Sequence, residues 1–197
     1  GLLLAEFTGP QRDLQPRHLL AQQVARAGRL GFGAQASFEF EWLVFAETAE
    51  SLRAKHFTAL APWAPDNRCW DGVSAATHGE LVAALDATLS EGRIGLTGLG
   101  MELGAGCLEA TLAATRPVAA ADEAALFKLY TKAFFRRRGL AACFMAQPDA
   151  AAPGLSGHIH LSLSRAGGGP AFHAAQARAV EGPTLHTIAG GAAAKPF

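Results

Sequence analysis

Two histidines near the C-terminal end have the types and spacing of metal ligands. In the segment "GLSGHIHLSLS", residues 154–164, His158 and His160 are two positions apart. Successive side chains of a strand point to opposite faces, so both imidazoles and Ser162 would share one face of an extended segment. The pair alone is compatible with metal ligands, with a polar rim on a half-buried strand, or with chance.

Four glutamates form two further pairs. Glu39 and Glu41 lie two apart within "FEFEW", on one face of a predicted strand. Glu102 and Glu109 lie on the two arms of a predicted hairpin in "MELGAGCLE", where the glycine turn lets the arms lie side by side. Carboxylates on one strand face repel each other unless a positive charge lies between them. A solvent-facing edge strand would also explain the first pair.

Together these side chains predict a site for a divalent cation. Four glutamates and a histidine from three strand segments could converge at one place. Carboxylate oxygens are hard ligands that suit Mg²⁺ or Mn²⁺, and a single imidazole beside them does not imply zinc. The set therefore indicates a metal site that serves nucleotide phosphates. Other classes with an HxH pair fit poorly: an amidohydrolase barrel needs more chain than follows His160, and a cupin barrel needs an acid closer than Glu181.

The elements that must position these residues predict an α+β domain. Apolar spacing, a starting proline and closing glycines indicate helices, and alternating or β-branched runs indicate strands. The segment 52–74 is rich in proline and turn residues and predicts a long functional loop. Because hairpin signals lie among the helices, we expect a mainly antiparallel sheet with flanking helices in one domain, residues 1–197. Helices are expected at 16–33, 74–91, 119–138 and near 183–194, and strands at 1–8, 34–47, within 93–115, at 139–147 and at 154–164.

Composition argues against several classes of partner. Seventeen basic residues balance seventeen acidic ones, and the basic triplet 136–138 suits the C-terminal end of a helix, so no nucleic-acid partner is expected. Three cysteines without CxxC spacing indicate reduced thiols and a cytoplasmic protein. No apolar run approaches the length of a bilayer span, and "GLLLAEFT" lacks the features of a signal peptide, so no membrane partner is expected.

Four motifs, taken in order, carry a resemblance to a known family. The motifs "FEFEW", "MELGAGCLEA", "ADEAALFKLYTKAFFRRRGLAACFMAQP" and "GHIHLSLS" resemble the catalytic domain of the glutamine synthetase family. The resemblance implies an ATP- and divalent-metal-dependent carboxylate–amine ligase. In such an enzyme ATP phosphorylates the side-chain carboxylate of glutamate or a similar acid, and ammonia or another amine attacks the acyl phosphate. It also implies Mg²⁺ or Mn²⁺ as cofactor and a homo-oligomer.

The resemblance implies roles for single residues but assigns no catalytic one. Two ions are expected, one near the amino-acid substrate and one near the ATP phosphates. The implied residues are Glu41, Glu102 and Glu109 for the first ion, Glu39 and His158 for the second, His160 and Ser162 for the nucleotide, and Gly154 for the glutamate substrate.

The chain also departs from the family pattern. Gly100 stands where a histidine is usual, and Cys107 and Pro153 replace the usual glutamine and asparagine. The arginines and the further ligand that the family carries nearer its C-terminus lie beyond Phe197. We therefore expect a truncated, N-terminal half of a catalytic domain that does not turn over alone. The alternative is a non-catalytic relative with a structural or assembly role.

Overall fold

The computed structural model describes residues 4–150 and 152–172, so the helical stretch expected near 183–194 lies outside the described residues. Helices and strands are interspersed along this part of the chain. In order they are a 3₁₀ helix Gly9–Leu14, α1 Pro16–Arg29, β1 Phe32–Phe45, α2 Ala49–Ala54, α3 Gly72–Glu91, β2 Leu96–Met101, β3 Cys107–Leu112, α4 Pro117–Arg136, β4 Ala141–Cys143 and β5 Gly157–Arg165.

The five strands in the described part of the chain form one sheet around the long strand β1. The order is β2-β3-β1-β4, and β5 also pairs with β1. The pairs β1–β3, β1–β4 and β2–β3 are antiparallel. The predicted mainly antiparallel α+β architecture is therefore confirmed. Within the described ranges, no helix has both the length and the apolar character needed to cross a bilayer.

The chain divides into two compact units. Described parts of the first unit fall within Gly1–Ser37, Ala114–Ala121 and Ile159–Phe197, and the second unit comprises Phe38–Ala113 and Asp122–His158. In the first unit, the backbones of Ala36 and Thr115 exchange two hydrogen bonds of 2.8 and 3.0 Å. The expectation of a single domain stays a prediction.

The core of the second unit lies on one face of β1. Trp42 and Val44 are fully buried there, as is Phe127 of α4. The Phe127 ring stacks on Phe40 with a centroid distance of 5.6 Å and meets Trp42 edge-on at 5.5 Å. Residues 40, 42 and 44 alternate with 39, 41 and 43 along the strand, so Glu39 and Glu41 lie on the opposite face of β1.

Three expectations about elements were wrong in detail. Residues 4–8 form no strand, and the chain instead enters a 3₁₀ helix at Gly9, where a proline near the start favours a helical turn. The expected loop 52–74 begins inside α2 and ends at α3, which is capped by Asp71. The strand expected at 139–147 is paired over three residues alone, Ala141–Cys143.

Glu47 is a buried acid just after β1, with 3% of its surface exposed. Its carboxylate pairs with Lys55 and accepts hydrogen bonds from the Ser51 hydroxyl at 2.6 Å and the Ala61 N–H at 3.0 Å. The contact with Lys55, followed by that with Ser51, lowers the pKa of Glu47 to about 2. The carboxylate thus ties α2 to the chain that follows it.

This contact predicts a specific acid sensitivity. Because the pKa of Glu47 falls from 4.5 to about 2 on folding, its ionised form stabilises the fold above pH 4.5. That contribution is lost as the pH falls towards 2. Glu47→Gln should therefore lower the urea midpoint at pH 7. Below pH 4.5 the midpoint of the variant should progressively approach that of the wild type. A deficit of the same size at every pH would contradict this role for the charge.

Candidate functional site

Strand register places the four predicted glutamates on one face of the sheet in the second unit. Glu41 lies directly opposite Glu109 in the β1–β3 pair, and Glu109 lies opposite Gly100 in the β3–β2 pair. Cross-strand partners share a face, as do residues two apart in one strand. Glu39 and Glu102 therefore lie on the same side as the Glu41–Glu109 pair. We call these four glutamates the acidic face.

Hydrogen bonds from the loop before β5 and from its first residues hold the two glutamates of β1. Glu39 Oε1 contacts His158 Nδ1 at 2.5 Å. Glu41 accepts a hydrogen bond of 2.9 Å from the Ser156 N–H and another from the Ser156 hydroxyl. The structure thus brings Glu39 and His158 together, while their role as ligands of one ion stays a prediction.

A different segment holds the glutamate at the end of β2. Glu102 Oε1 accepts hydrogen bonds from the Cys69 thiol at 3.0 Å and from the Leu103 N–H at 2.9 Å. Glu102 is also the largest cause that raises the pKa of Cys69, because a carboxylate acceptor favours the protonated thiol. Cys69 is therefore a hydrogen-bond donor to one glutamate of the acidic face.

Glu109 shows how strongly the acidic face concentrates negative charge. Burial, followed by the charges of Glu39, Glu102 and Glu41 in that order of importance, raises the pKa of Glu109 to about 7. His158 acts in the opposite direction. Glu109 is therefore close enough to the other three glutamates and to His158 for their charges to affect its pKa, while their role as one ligand set stays a prediction. A cation at this position would relieve the repulsion.

The donor set fits a hard divalent ion, although the side chains are not arranged as a ready coordination shell. Carboxylate oxygens with one imidazole suit Mg²⁺ or Mn²⁺. Across residues 4–150 and 152–172, no group of three or more His, Cys, Asp or Glu side chains is placed to hold a metal ion. In the structure, one oxygen each of Glu39, Glu41 and Glu102 contacts His158, Ser156 and Cys69 respectively. The assignment of the metal ligands therefore stays a prediction.

The remaining predicted residues lie on or near β5. Gly154 belongs to the loop that also supplies Ser156, and this loop is fixed by a 2.6 Å hydrogen bond from the Leu155 N–H to the Ala146 carbonyl. His160 and Ser162 lie further along β5, in the first unit. The proposed contacts of Gly154 with substrate, and of the two β5 residues with nucleotide, stay predictions.

Sequence reasoning missed the residues that hold the carboxylates. Ser156 had a readable signal, since it precedes His158 by two positions in an extended segment. Cys69 had a weaker one, which was its position in the long turn-rich segment predicted to be functional.

A separate cavity of about 860 Å³ is lined by residues such as Phe45, Lys128 and Lys132, and no predicted site residue is among the described residues that line it.

Comparisons with known proteins agree on one family. Residues 13–195 match the family described as "Glutamine synthetase, catalytic domain". The chain is 28% identical over 169 residues to glutamate–isopropylamine ligase of Pseudomonas sp.. It is 32% identical over 166 residues to type-1 glutamine synthetase 2 of Dictyostelium discoideum. These matches cover 86% and 83% of this chain but 37% and 32% of the relatives, so the chain spans about a third of their length.

Solved structures agree with this result. A crystal structure described as a novel glutamine synthase homolog matches with a TM-score of 0.65 and 27% identity, over 79% of this chain and 33% of that one. A GmaS/ADP complex matches with a TM-score of 0.70 over 83% of this chain and 36% of that one, and at 24% identity this likeness shows the fold alone. Since the family match extends over most of the sequence, the chain belongs to the glutamine synthetase catalytic-domain family.

Proposed function

We propose that this chain is part of an ATP- and divalent-metal-dependent ligase that joins ammonia or another amine to the side-chain carboxylate of glutamate or a similar acid. The observation that carries the proposal is the direct opposition of Glu41 and Glu109 on neighbouring strands, with the pKa of Glu109 raised to about 7. Opposed, partly buried carboxylates destabilise a sheet unless they serve a positive ligand. The name of the Pseudomonas relative, glutamate–isopropylamine ligase, supports glutamate and an amine as the substrates.

The proposed chemistry explains why negative charge would be gathered here. A carboxylate is a poor acyl donor until one of its oxygens becomes part of a phosphate leaving group. Bringing ATP phosphates to a carboxylate substrate accumulates negative charge, which a bound Mg²⁺ or Mn²⁺ would offset during phosphoryl transfer. The acidic face would bind and orient such ions from three adjacent strands. The proposed ligands are Glu41, Glu102 and Glu109 for one ion, and Glu39 and His158 for the other.

The proposal extends to parts of the enzyme that the family resemblance implies. His160 and Ser162 are proposed to contact ATP, and Gly154 the amino-acid substrate. We propose a homo-oligomer in the cytoplasm, with no nucleic-acid or membrane partner. Three free cysteines, Cys69, Cys107 and Cys143, are consistent with a reducing compartment.

A metal titration tests the proposal directly. Mn²⁺ at one hundred times its dissociation constant should stabilise the fold by about 2.7 kcal/mol. For a chain of this size we expect a rise in Tm of roughly 5–10 °C, measured by thermal unfolding followed by circular dichroism. Glu109→Gln should abolish most of this rise, because it removes the carboxylate that faces Glu41.

The control is Glu80→Gln, which removes an exposed carboxylate of α3 outside the acidic face. It should keep the full response to Mn²⁺. No response in the wild-type protein, or an equal response in Glu109→Gln, would contradict the proposed site. Because the chain spans about a third of its relatives' length, we expect no phosphate release from ATP with glutamate and an amine by this chain alone.

A non-catalytic structural or assembly role is the second candidate. The hydrogen bonds from Ser156, His158 and Cys69 favour it, because they give Glu41, Glu39 and Glu102 protein partners without any ion. This candidate predicts a protein whose Tm is insensitive to Mn²⁺ and ATP. The same titration therefore separates the two candidates.

A further inference from the structure

The segment 64–71, which we call the strap, is tied by its backbone and side chains to the β2–β3 hairpin. The Ala64 carbonyl accepts a 2.8 Å hydrogen bond from the Gly106 N–H. The Asn67 amide nitrogen lies within hydrogen-bond distance of three hairpin carbonyls, at 2.8–3.1 Å. The Trp70 N–H donates to the Met101 carbonyl at 2.9 Å. These contacts fix the strap on both sides of Cys69.

The side chain of Trp70 adds a further anchor on the acidic face. A Cβ built on Gly100 would lie 2.7 Å from the Trp70 ring, so the indole occupies the space above this glycine. Trp70 holds a positive φ of 51°, a conformation that non-glycine residues rarely adopt. A disfavoured backbone conformation persists where surrounding contacts determine it, so the path of the strap through Cys69 is closely specified.

At the end of this path the Cys69 thiol meets one oxygen of Glu102. Oε1 accepts both the thiol at 3.0 Å and the Leu103 N–H at 2.9 Å, so the two donors fix the rotation of the carboxylate. Two donors on one oxygen leave Oε2 as the oxygen with which Glu102 can contact a ligand. We propose that Cys69 is a positioning residue that orients Glu102 on the acidic face for a divalent cation.

The inference rests on the proposed function, since it assumes that Glu102 is a metal ligand. Groups that hydrogen-bond to ligating side chains orient them, and losing such a group typically weakens metal binding by about 10- to 100-fold. A thiol is a weak donor, so the lower end of this range applies. Cys69 is exposed, so its replacement should leave the fold intact.

The experiment compares Mn²⁺ affinity across variants of the full chain, measured by electron paramagnetic resonance of free Mn²⁺. Cys69→Ala should weaken Mn²⁺ binding by about 10-fold while the urea midpoint stays unchanged. Cys69→Ser keeps a donor at this position and should recover most of the affinity. The matched control Cys143→Ala removes a thiol on β4 and should bind Mn²⁺ like wild type.

Three other results would contradict either the role of Cys69 or the proposed function. Wild-type affinity in Cys69→Ala, together with weakened binding in Glu102→Gln, would overturn the role of Cys69 and leave the proposed function standing. Equal losses in the alanine and serine variants would also overturn it, because the sulfur itself would then be required. Failure of the wild-type protein to bind Mn²⁺ would contradict the proposed function, and the role of Cys69 with it.

Discussion

Phe127→Ala should lower the free energy of unfolding by about 3–5 kcal/mol, the usual cost of emptying a buried aromatic site. Phe127 is fully buried and contacts both Phe40 and Trp42, the residues that flank Glu41 on β1. The substitution should therefore disturb the acidic face as well as the core. Urea unfolding measures the loss of stability, and Mn²⁺ affinity measures the effect on the acidic face.

A control on the same helix separates packing from helix propensity. Leu129→Ala changes a side chain of α4 that is 50% exposed, and it should cost no more than about 0.5 kcal/mol. If both variants lose similar stability, α4 does not support the sheet through the Phe127 contacts. If Phe127→Ala is as stable as wild type, the described core is incorrect.

Gly106→Ala should destabilise the fold by about 3 kcal/mol or more, because two penalties coincide. Gly106 has a φ of +74°, which disfavours any side chain. A Cβ there would also lie 2.5 Å from the Val44 carbonyl oxygen, and this oxygen belongs to the backbone of the central strand. Thermal and urea unfolding of the purified variant would measure the loss.

Gly139→Ala isolates the conformational penalty. Gly139 has a nearly identical φ of +71°, but no atom lies within 4 Å of a Cβ built on it. This variant should lose about 1 kcal/mol. Equal losses at both glycines would show that backbone conformation alone sets the effect, and that the turn before β3 can move away from Val44.

The β1 strand and its two faces were predictable from sequence. In "FEFEW" acids alternate with aromatics, and this period-two pattern fixes which residues meet the core and which meet the acidic face. The sequence predicted that the four glutamates could converge, but it did not predict the direct pairing of Glu41 with Glu109. It depends on the β1–β3 register, which the glutamate motifs do not specify.

The hydrogen bonds that hold the acidic face were harder to predict from the sequence. Cys69 reaches Glu102 because the strap follows a path set by Asn67 and by the positive φ of Trp70, and such loop paths leave little periodic signal. Residues 4–8 do not form the strand expected at 1–8, for a related reason. An apolar run becomes a strand when a partner strand pairs with it, and nothing local in the run supplies that partner.

The opposition of Glu41 and Glu109 has a practical consequence for protein engineering. Like charges directly across an antiparallel pair weaken it, so neutral replacements at either position should be recovered in screens for heat resistance without added metal. Such variants would gain thermal stability by losing a carboxylate that we propose to bind a cation. Directed evolution of this chain should therefore select in the presence of Mn²⁺, so that stability and cation affinity are improved together.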